Sequence, residues 1–175
     1  AELQLTDLDR HHYQTYPLTL ARHPSETEER LIVRLLAFTL HASAGLSFTK
    51  GLSTQEEPDL WEHTDSGELL SWIELGQPDE RRIRQACGRA RQVVIYCYSG
   101  HSAEIWWRQC APALQGIKNL TVYYLPPAQL AMVVPHLSRN IQWQLTIQDG
   151  ECWLSAGTET LTIQPEGWMV HGALP

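Results

Sequence analysis

Apolar positions change period several times along the chain, and each change marks a predicted element. Residues 1–5 alternate apolar and polar in the manner of a strand, and Asp7-Leu8-Asp9 turns it. Ser25 stands at a helix N-cap position, followed by Glu26, Glu28 and Glu29 in a first turn where the backbone dipole favours anions. Ile32, Leu35, Leu36 and Thr39 then recur at helical spacing, which predicts a helix over about 26–41 closed by Gly45. A short strand over 46–50 ends at Gly51. Two strands, 58–62 and 69–75, are joined by the turn Thr64-Asp65-Ser66-Gly67. Pro78-Asp79 opens a second helix that runs to about Gln92 despite Gly88.

The second half is more apolar. Residues 93–98 are a continuous β-branched and aromatic run, the mark of a strand covered on both faces, and 120–125 repeats it. A helix over 102–114 is bent or ended near Pro112, and a short one over 127–137 crosses Pro135. Three alternating strands follow near 141–148, 151–155 and 159–164, the first two turned by Asp149-Gly150. Antiparallel strands followed by alternating helix and strand predict an α/β fold, a mixed sheet with helices against it. The C-terminal meander is then a second small sheet on the same core. No repeat or linker-like shift divides residues 1–175, which read as one domain.

Composition narrows the function classes. Of 175 residues 43% are hydrophobic, with seven Trp and six Tyr, which excludes a disordered chain. No apolar run approaches the roughly 20 residues of a membrane span. Twenty acids against 13 bases leave a net charge of −7, which disfavours general coating of DNA but permits a local basic face. Lys50 and Lys118 are the only lysines. Cys87, Cys97, Cys110 and Cys152 form no C-x-x-C pair and read as reduced, mostly buried thiols of a cytosolic protein. No His or Cys spacing suits zinc.

Charge is segregated along the chain. Residues 54–74 hold Glu56, Glu57, Asp59, Glu62, Asp65, Glu68 and Glu74 and no Lys or Arg, whereas 78–91 carry five arginines and a local balance of +3. Such a hairpin beside such a helix binds a divalent cation and then phosphate, or is a solvated hairpin braced by arginines. Asp59 opens one strand and Glu74 lies inside the next, in Trp72-Ile73-Glu74-Leu75-Gly76. Alternation puts Trp72 and Glu74 on one face. A charge in so apolar a strand must reach a partner, a metal or water. Asp59, Glu74 and the Leu75 carbonyl are therefore the candidate ligands of Mg2+ or Mn2+, hard cations that take oxygen donors. On the arginine helix, Arg81, Arg84 and Arg91 fall to one side and Arg82 and Arg89 to another. The first three are predicted to line the hairpin's pocket and contact backbone phosphate.

Helix, strand, Pro58-Asp59, then Glu74-Leu75-Gly76 and a helix resemble the PD-(D/E)XK nuclease core. More specifically, Ala21-Arg22-His23-Pro24-Ser25-Glu26-Thr27 and Trp72-Ile73-Glu74-Leu75-Gly76-Gln77-Pro78-Asp79 resemble the YaeQ family, as do Lys118-Asn119-Leu120, Thr146-Ile147-Gln148-Asp149-Gly150 and Trp153-Leu154. The resemblance implies a restriction-endonuclease-like αβββαβ core over about 22–125, a meander over about 140–165, and a bacterial, cytoplasmic protein. It supplies no established activity and points only faintly to a transcription-related partner.

The nuclease pattern ends in lysine, and here that position is Gly76. Lys50, from the preceding strand, and Gln77, by positioning water, are the candidate replacements. Glu29, which flanks the stripe of Ile32 and Leu36, is preferred over Glu26 as the third acid. Two functions stay open: a non-catalytic descendant that binds nucleic acid or a protein partner, and a Mg2+- or Mn2+-dependent phosphodiesterase. Ser99-Gly100-His101-Ser102 lacks the G-x-S-x-G elbow, and no Gly-rich phosphate loop exists.

Overall fold

The computed structural model describes residues 1–50 and 56–171. Strands β1 (Glu2–Asp7) and β2 (His12–Pro17) form an antiparallel hairpin. β1 also runs parallel to β8 (Gln142–Gln148), which continues antiparallel into β9 (Glu151–Ala156) and β10 (Glu159–Ile163). The predicted meander therefore exists, and the N-terminal hairpin completes it as a five-stranded sheet in the order β10-β9-β8-β1-β2. β2 is absent from the sequence reading. It is an edge strand whose only buried residue is Tyr16, so no apolar alternation announces it.

The second sheet contains β3 (Leu46–Phe48), β4 (Leu60–His63), β5 (Leu69–Leu75), β6 (Gln92–Cys97), β7 (Leu120–Tyr124) and β11 (Glu166–Met169). Its order is β11-β7-β6-β5-β4-β3. The β3-β4-β5 part is antiparallel and the β5-β6-β7 part parallel, as the element order predicts. β11, which pairs antiparallel with β7 across a register shift, is a second unpredicted edge strand.

Helix α1 (Glu28–His41) starts two residues later than predicted. Thr27 is its N-cap, accepting from the Arg30 N–H at 3.2 Å, whereas the Ser25 hydroxyl bonds His23 Nδ1 at 2.6 Å. Every residue from Leu31 to His41 is buried, the pattern of a helix enclosed on all sides. Phe38 packs edge-on against Tyr16 of β2, and His41 Nε2 lies 2.7 Å from the Tyr96 hydroxyl of β6. α1 is thus the filling between the two sheets, and one apolar core joins Leu3, Leu5 and Trp143 to Leu36, Ile73 and Val94.

The other face of the second sheet is covered by α2 (Glu80–Arg89) and α3 (His101–Leu114), through Ile83, Ala86, Ala103 and Leu114 against Trp72, Val93 and Val122. α2 is capped by Asp79, which accepts from the Arg82 N–H at 2.8 Å. It stops at Arg89, short of the predicted Gln92, because the Arg91 N–H bonds the Leu69 carbonyl at 3.1 Å and Gln92 already belongs to β6. α3 runs through Pro112, and α4 (Pro127–Val133) passes into a 3-10 turn over Val134–His136. Among the described residues no helix is long and apolar enough to cross a membrane. The four cysteines are free thiols, and burial pushes Cys152 up to about 12 and Cys87 and Cys110 up to about 11.

Candidate functional site

The register pairs Leu60 with Ile73, so the next step along β4 and β5 sets Asp59 opposite Glu74. Both strand ends are fixed by backbone bonds. The Asp59 N–H reaches the Ile73 carbonyl at 3.0 Å, and the Thr49 N–H reaches the Asp59 carbonyl at 3.1 Å. The side chains are equally committed. Asp59 Oδ2 accepts from the Leu75 N–H at 2.8 Å, and Oδ1 accepts from Arg30 Nη2 of α1. Glu74 Oε2 accepts from Trp72 Nε1 at 3.2 Å, the same-face neighbour that a period of two provides, and Oε1 accepts from Arg82 Nε of α2. A third buried acid, Glu26, takes Arg34 Nη1 at 3.0 Å on both oxygens and lies 3.9 Å from Arg30 Nε.

Three carboxylates and three guanidiniums therefore form one neutral cluster. Its members feel each other: the Asp59 charge is stabilised by Arg30 first, then by the Leu75 N–H, and then by Arg34 and Arg82. Burial nevertheless pushes the Asp59 and Glu74 carboxyls above their ordinary range, and for Glu74 the neighbouring Asp59 charge adds to the rise. Burial opposes the charge of Arg30 as well, but Asp59, Tyr98 and Glu26 more than offset it and hold its pKa above the usual value.

Several expected residues sit elsewhere. Glu29 is exposed, and Glu26 is the acid that turns inward, because the helix begins at Thr27 and leaves residue 26 in the preceding loop. Leu75 reaches Asp59 through its amide N–H. Lys50, just past β3, is exposed and pairs with no carboxylate among the described residues. It follows Thr49, which holds the Asp59 carbonyl. Gln77 is exposed and donates to Ser102 Oγ at 3.1 Å.

The arginines divide differently from the expectation, and of the three predicted ones only Arg91 meets an acid of the hairpin segment. Arg84 pairs with Glu80 at 2.9 Å and donates to the Ala113 carbonyl, and Arg91 lies beyond α2 on Glu68 with two bonds of 2.7 Å. Arg81 is exposed, without a carboxylate partner among the described residues. Arg82 and Arg89, the opposite side of the helix, face the hairpin. Both guanidiniums lie over Trp72, at 5.8 and 5.1 Å, and they donate to the Glu57 and Glu56 carbonyls at 2.9 and 3.3 Å.

Arg30 and Arg82 stand where a divalent cation would approach these two acids. Each carboxylate oxygen of Asp59 and Glu74 already accepts an N–H, and a cation seated there would share these oxygens with the guanidiniums of Arg30 and Arg82. Among the described residues no group of three or more His, Cys, Asp or Glu is placed to hold one. Sequence reasoning missed Arg30 and Arg34, though a signal existed. An arginine inside Leu31-Ile32-Val33-Arg34-Leu35-Leu36 is a charge on a buried helix and demands an acid.

Fold and site together define an α+β protein of two mixed sheets around a buried helix, with a carboxylate–arginine cluster at the strand ends. Solved structures of this class exist. The crystal structure of YaeQ protein from Xanthomonas axonopodis pv. citri superposes with a TM-score of 0.92 at 43% identity, covering 97% of this chain and 96% of that one. That of YaeQ protein from Pseudomonas syringae gives 0.92 at 35% identity, covering 98% and 95%. Residues 1–165 match the family described as YaeQ protein. The uncharacterized protein YaeQ of Salmonella typhi is 45% identical over 168 residues, 96% of this chain and 93% of its own length, and that of Escherichia coli K12 is 44% identical over the same span. The chain belongs to the YaeQ family.

Proposed function

We propose that this chain is a non-catalytic descendant of the PD-(D/E)XK restriction-endonuclease-like fold, acting by binding a partner and not by turnover. The order α1-β3-β4-β5-α2-β6, with Asp59 and Glu74 at adjacent strand ends, supports the descent. The observation that carries the loss of catalysis is the pairing of both acids with Arg30 and Arg82. A metal phosphodiesterase uses its carboxylates to hold a cation that activates water. Here guanidiniums occupy that role's ligands, and a guanidinium, always protonated in a protein, accepts no proton from water. Gly76 stands where the nuclease pattern has lysine, and Lys50 and Gln77, the possible substitutes, both point to solvent.

The test is a cleavage panel of single- and double-stranded DNA and RNA with Mg2+ and Mn2+, run beside a binding assay on the same substrates. Binding without cleavage is expected. Metal-dependent cleavage that Glu74→Gln abolishes would overturn the proposal.

A further inference from the structure

We infer that the outer face of the five-stranded sheet β10-β9-β8-β1-β2 binds a neutral oligosaccharide of pyranose units. Asp59 and Glu74 belong to the other sheet, so this site is separate from the cluster described above. The inner face of the sheet is buried in the core through Leu3, Leu5, Trp143 and Leu145. A period of two turns the intervening side chains outward, and the register sets them in rows across the strands. One row runs Thr15, Gln4, Gln144, Ser155 and Thr160. The next runs Tyr13, Thr6, Thr146, Trp153 and Thr162. Every one of these residues is exposed or half-buried.

The chemistry of the two rows is uniform. Neither holds a histidine or a charged side chain, in a chain of which 19% of residues are charged. Their hydroxyls and the amides of Gln4 and Gln144 each offer both a donor and an acceptor. A face without cations gives no hold on phosphate, and one made of hydroxyls and amides has no apolar side to bury in lipid. The complementary ligand is itself neutral and dense in hydroxyls.

Two further features select a sugar chain. Beside the first row the face is hollowed into a depression of about 240 Å3, lined by Glu2, Gln4, Gln142, Gln144, Ser155 and Gly157. It is smaller than the pockets of drug-sized ligands and of a size for a mono- or disaccharide unit. Three amides and one carboxylate in so small a space suit paired hydroxyls. In the second row, Tyr13 and Trp153 stand three strand spacings apart, roughly 14 Å. Tyr13 is 59% exposed, although a large aromatic side chain gains by being covered. Aromatic rings take the C–H faces of pyranose rings, and the threonines between them bond the ring edges.

A second copy of the chain is the competing occupant, and size counts against it. Five strands and about six residues of strand length cover roughly 24 by 20 Å, less than the ~800 Å2 per partner of a standard interface. Each copy also carries a charge of −7, which repels the other.

The test is a nuclear magnetic resonance titration of the isotope-labelled full chain with maltoheptaose, cellohexaose and mannohexaose in turn. Saturable shifts confined to β1, β2, β8 and β9, with the side-chain amides of Gln4, Gln142 and Gln144 among them, are expected with at least one sugar. The three probes separate coiled α-linked from extended β-linked chains. Gln144→Ala and Tyr13→Ala, both exposed changes, should each weaken binding about fivefold, the loss of one contact of ordinary strength. Glu29→Gln in α1 should leave it unchanged. The same spectra show that each variant is folded.

No shift with any of the three sugars at millimolar concentration overturns the inference. So does binding that Gln144→Ala and Tyr13→Ala leave intact. Sedimentation velocity of the free chain reads the competitor: a dimer that Gln144→Lys disperses gives the face to a second copy and overturns the inference as well. Cleavage of nucleic acid would strike the non-catalytic proposal alone, because these titrations contain no nucleic acid and no divalent metal.

Discussion

Removing Arg82 isolates the energetic claim behind the cluster. Glu74 lies inside β5 with its side chain 10% exposed, and its partners are Trp72 Nε1 and the Arg82 guanidinium. Deleting one member of a fully buried pair costs about 3–5 kcal/mol, because the remaining charge stays in a poor solvent. Arg82 retains 23% exposure, so water reaches the vacated place and the expected cost falls to about 2–3 kcal/mol. At this chain length that lowers Tm by about 4–12 °C.

The variant is Arg82→Met, which keeps the stem that packs beside Trp72 and removes the charge. Glu74→Gln/Arg82→Met removes both charges, and its cost should fall within about 1 kcal/mol of the wild type. Urea melts of the wild type, both single variants and the double variant give the coupling energy directly. The penalty of Arg82→Met should also shrink on acidification, since an unpaired Glu74 is relieved by protonation. A loss below about 0.5 kcal/mol in Arg82→Met, or a double variant no more stable than that single one, would refute the reasoning.

Three further outcomes follow from single contacts. Glu26→Gln leaves Arg34 buried without an anion and should cost about 2–4 kcal/mol, while exposed Glu29→Gln stays within about 0.5 kcal/mol in the same urea melts. Thr27→Ala should lose about 1 kcal/mol of cap energy and Ser25→Ala far less, a comparison that thermal melts read directly. His41, enclosed beside Tyr96, has its pKa lowered by burial, and secondarily by Arg10, to about 3 from an ordinary 6.5. The unfolded chain therefore binds a proton that the folded one refuses. Stability contributed by neutral His41 is complete above pH 6.5 and falls as pH drops toward 3, by up to about 1.4 kcal/mol per unit. The raised carboxyls of Asp59 and Glu74 act with the opposite sign, favouring the fold as pH falls from their folded values. Urea melts from neutral pH to pH 5 should show a shallower loss in His41→Gln than in the wild type, and equal slopes would contradict the assignment.

What was legible in the sequence depended on how local its cause was. β5 is expected at residues 69–75 and lies there, because Trp72, Ile73, Glu74 and Leu75 alternate over one strand. The apolar runs that become β6 and β7 are equally plain. β2 and β11 were hidden, since an edge strand needs only one neighbour and carries little apolar pattern. The wrong third acid follows from a two-residue error at the helix start. With Ser25 as the cap, Glu26 is a first-turn residue and Glu29 flanks the core, whereas with Thr27 as the cap Glu26 folds back onto Arg34. Grouping Arg82 with Arg89 was correct from helical period alone. Which side of α2 meets the hairpin is decided by the docking of Ile83 and Ala86 on the sheet, a long-range fact. The candidate pair Asp59 and Glu74 was visible as buried charge, but the identity of the compensating cation was not.

Arg30 and Arg82 pair with Asp59 and Glu74, the acids that would hold a metal ion in a nuclease. Titration of the full chain with Mn2+ at neutral pH, following free ion by electron paramagnetic resonance, tests it most directly. Wild type, Asp59→Ala and Glu74→Ala should deplete the free-ion signal equally, with any binding weak and independent of these residues. One tightly bound Mn2+ per chain in the wild type, lost in both variants, would return Asp59 and Glu74 to metal chemistry and overturn the non-catalytic proposal.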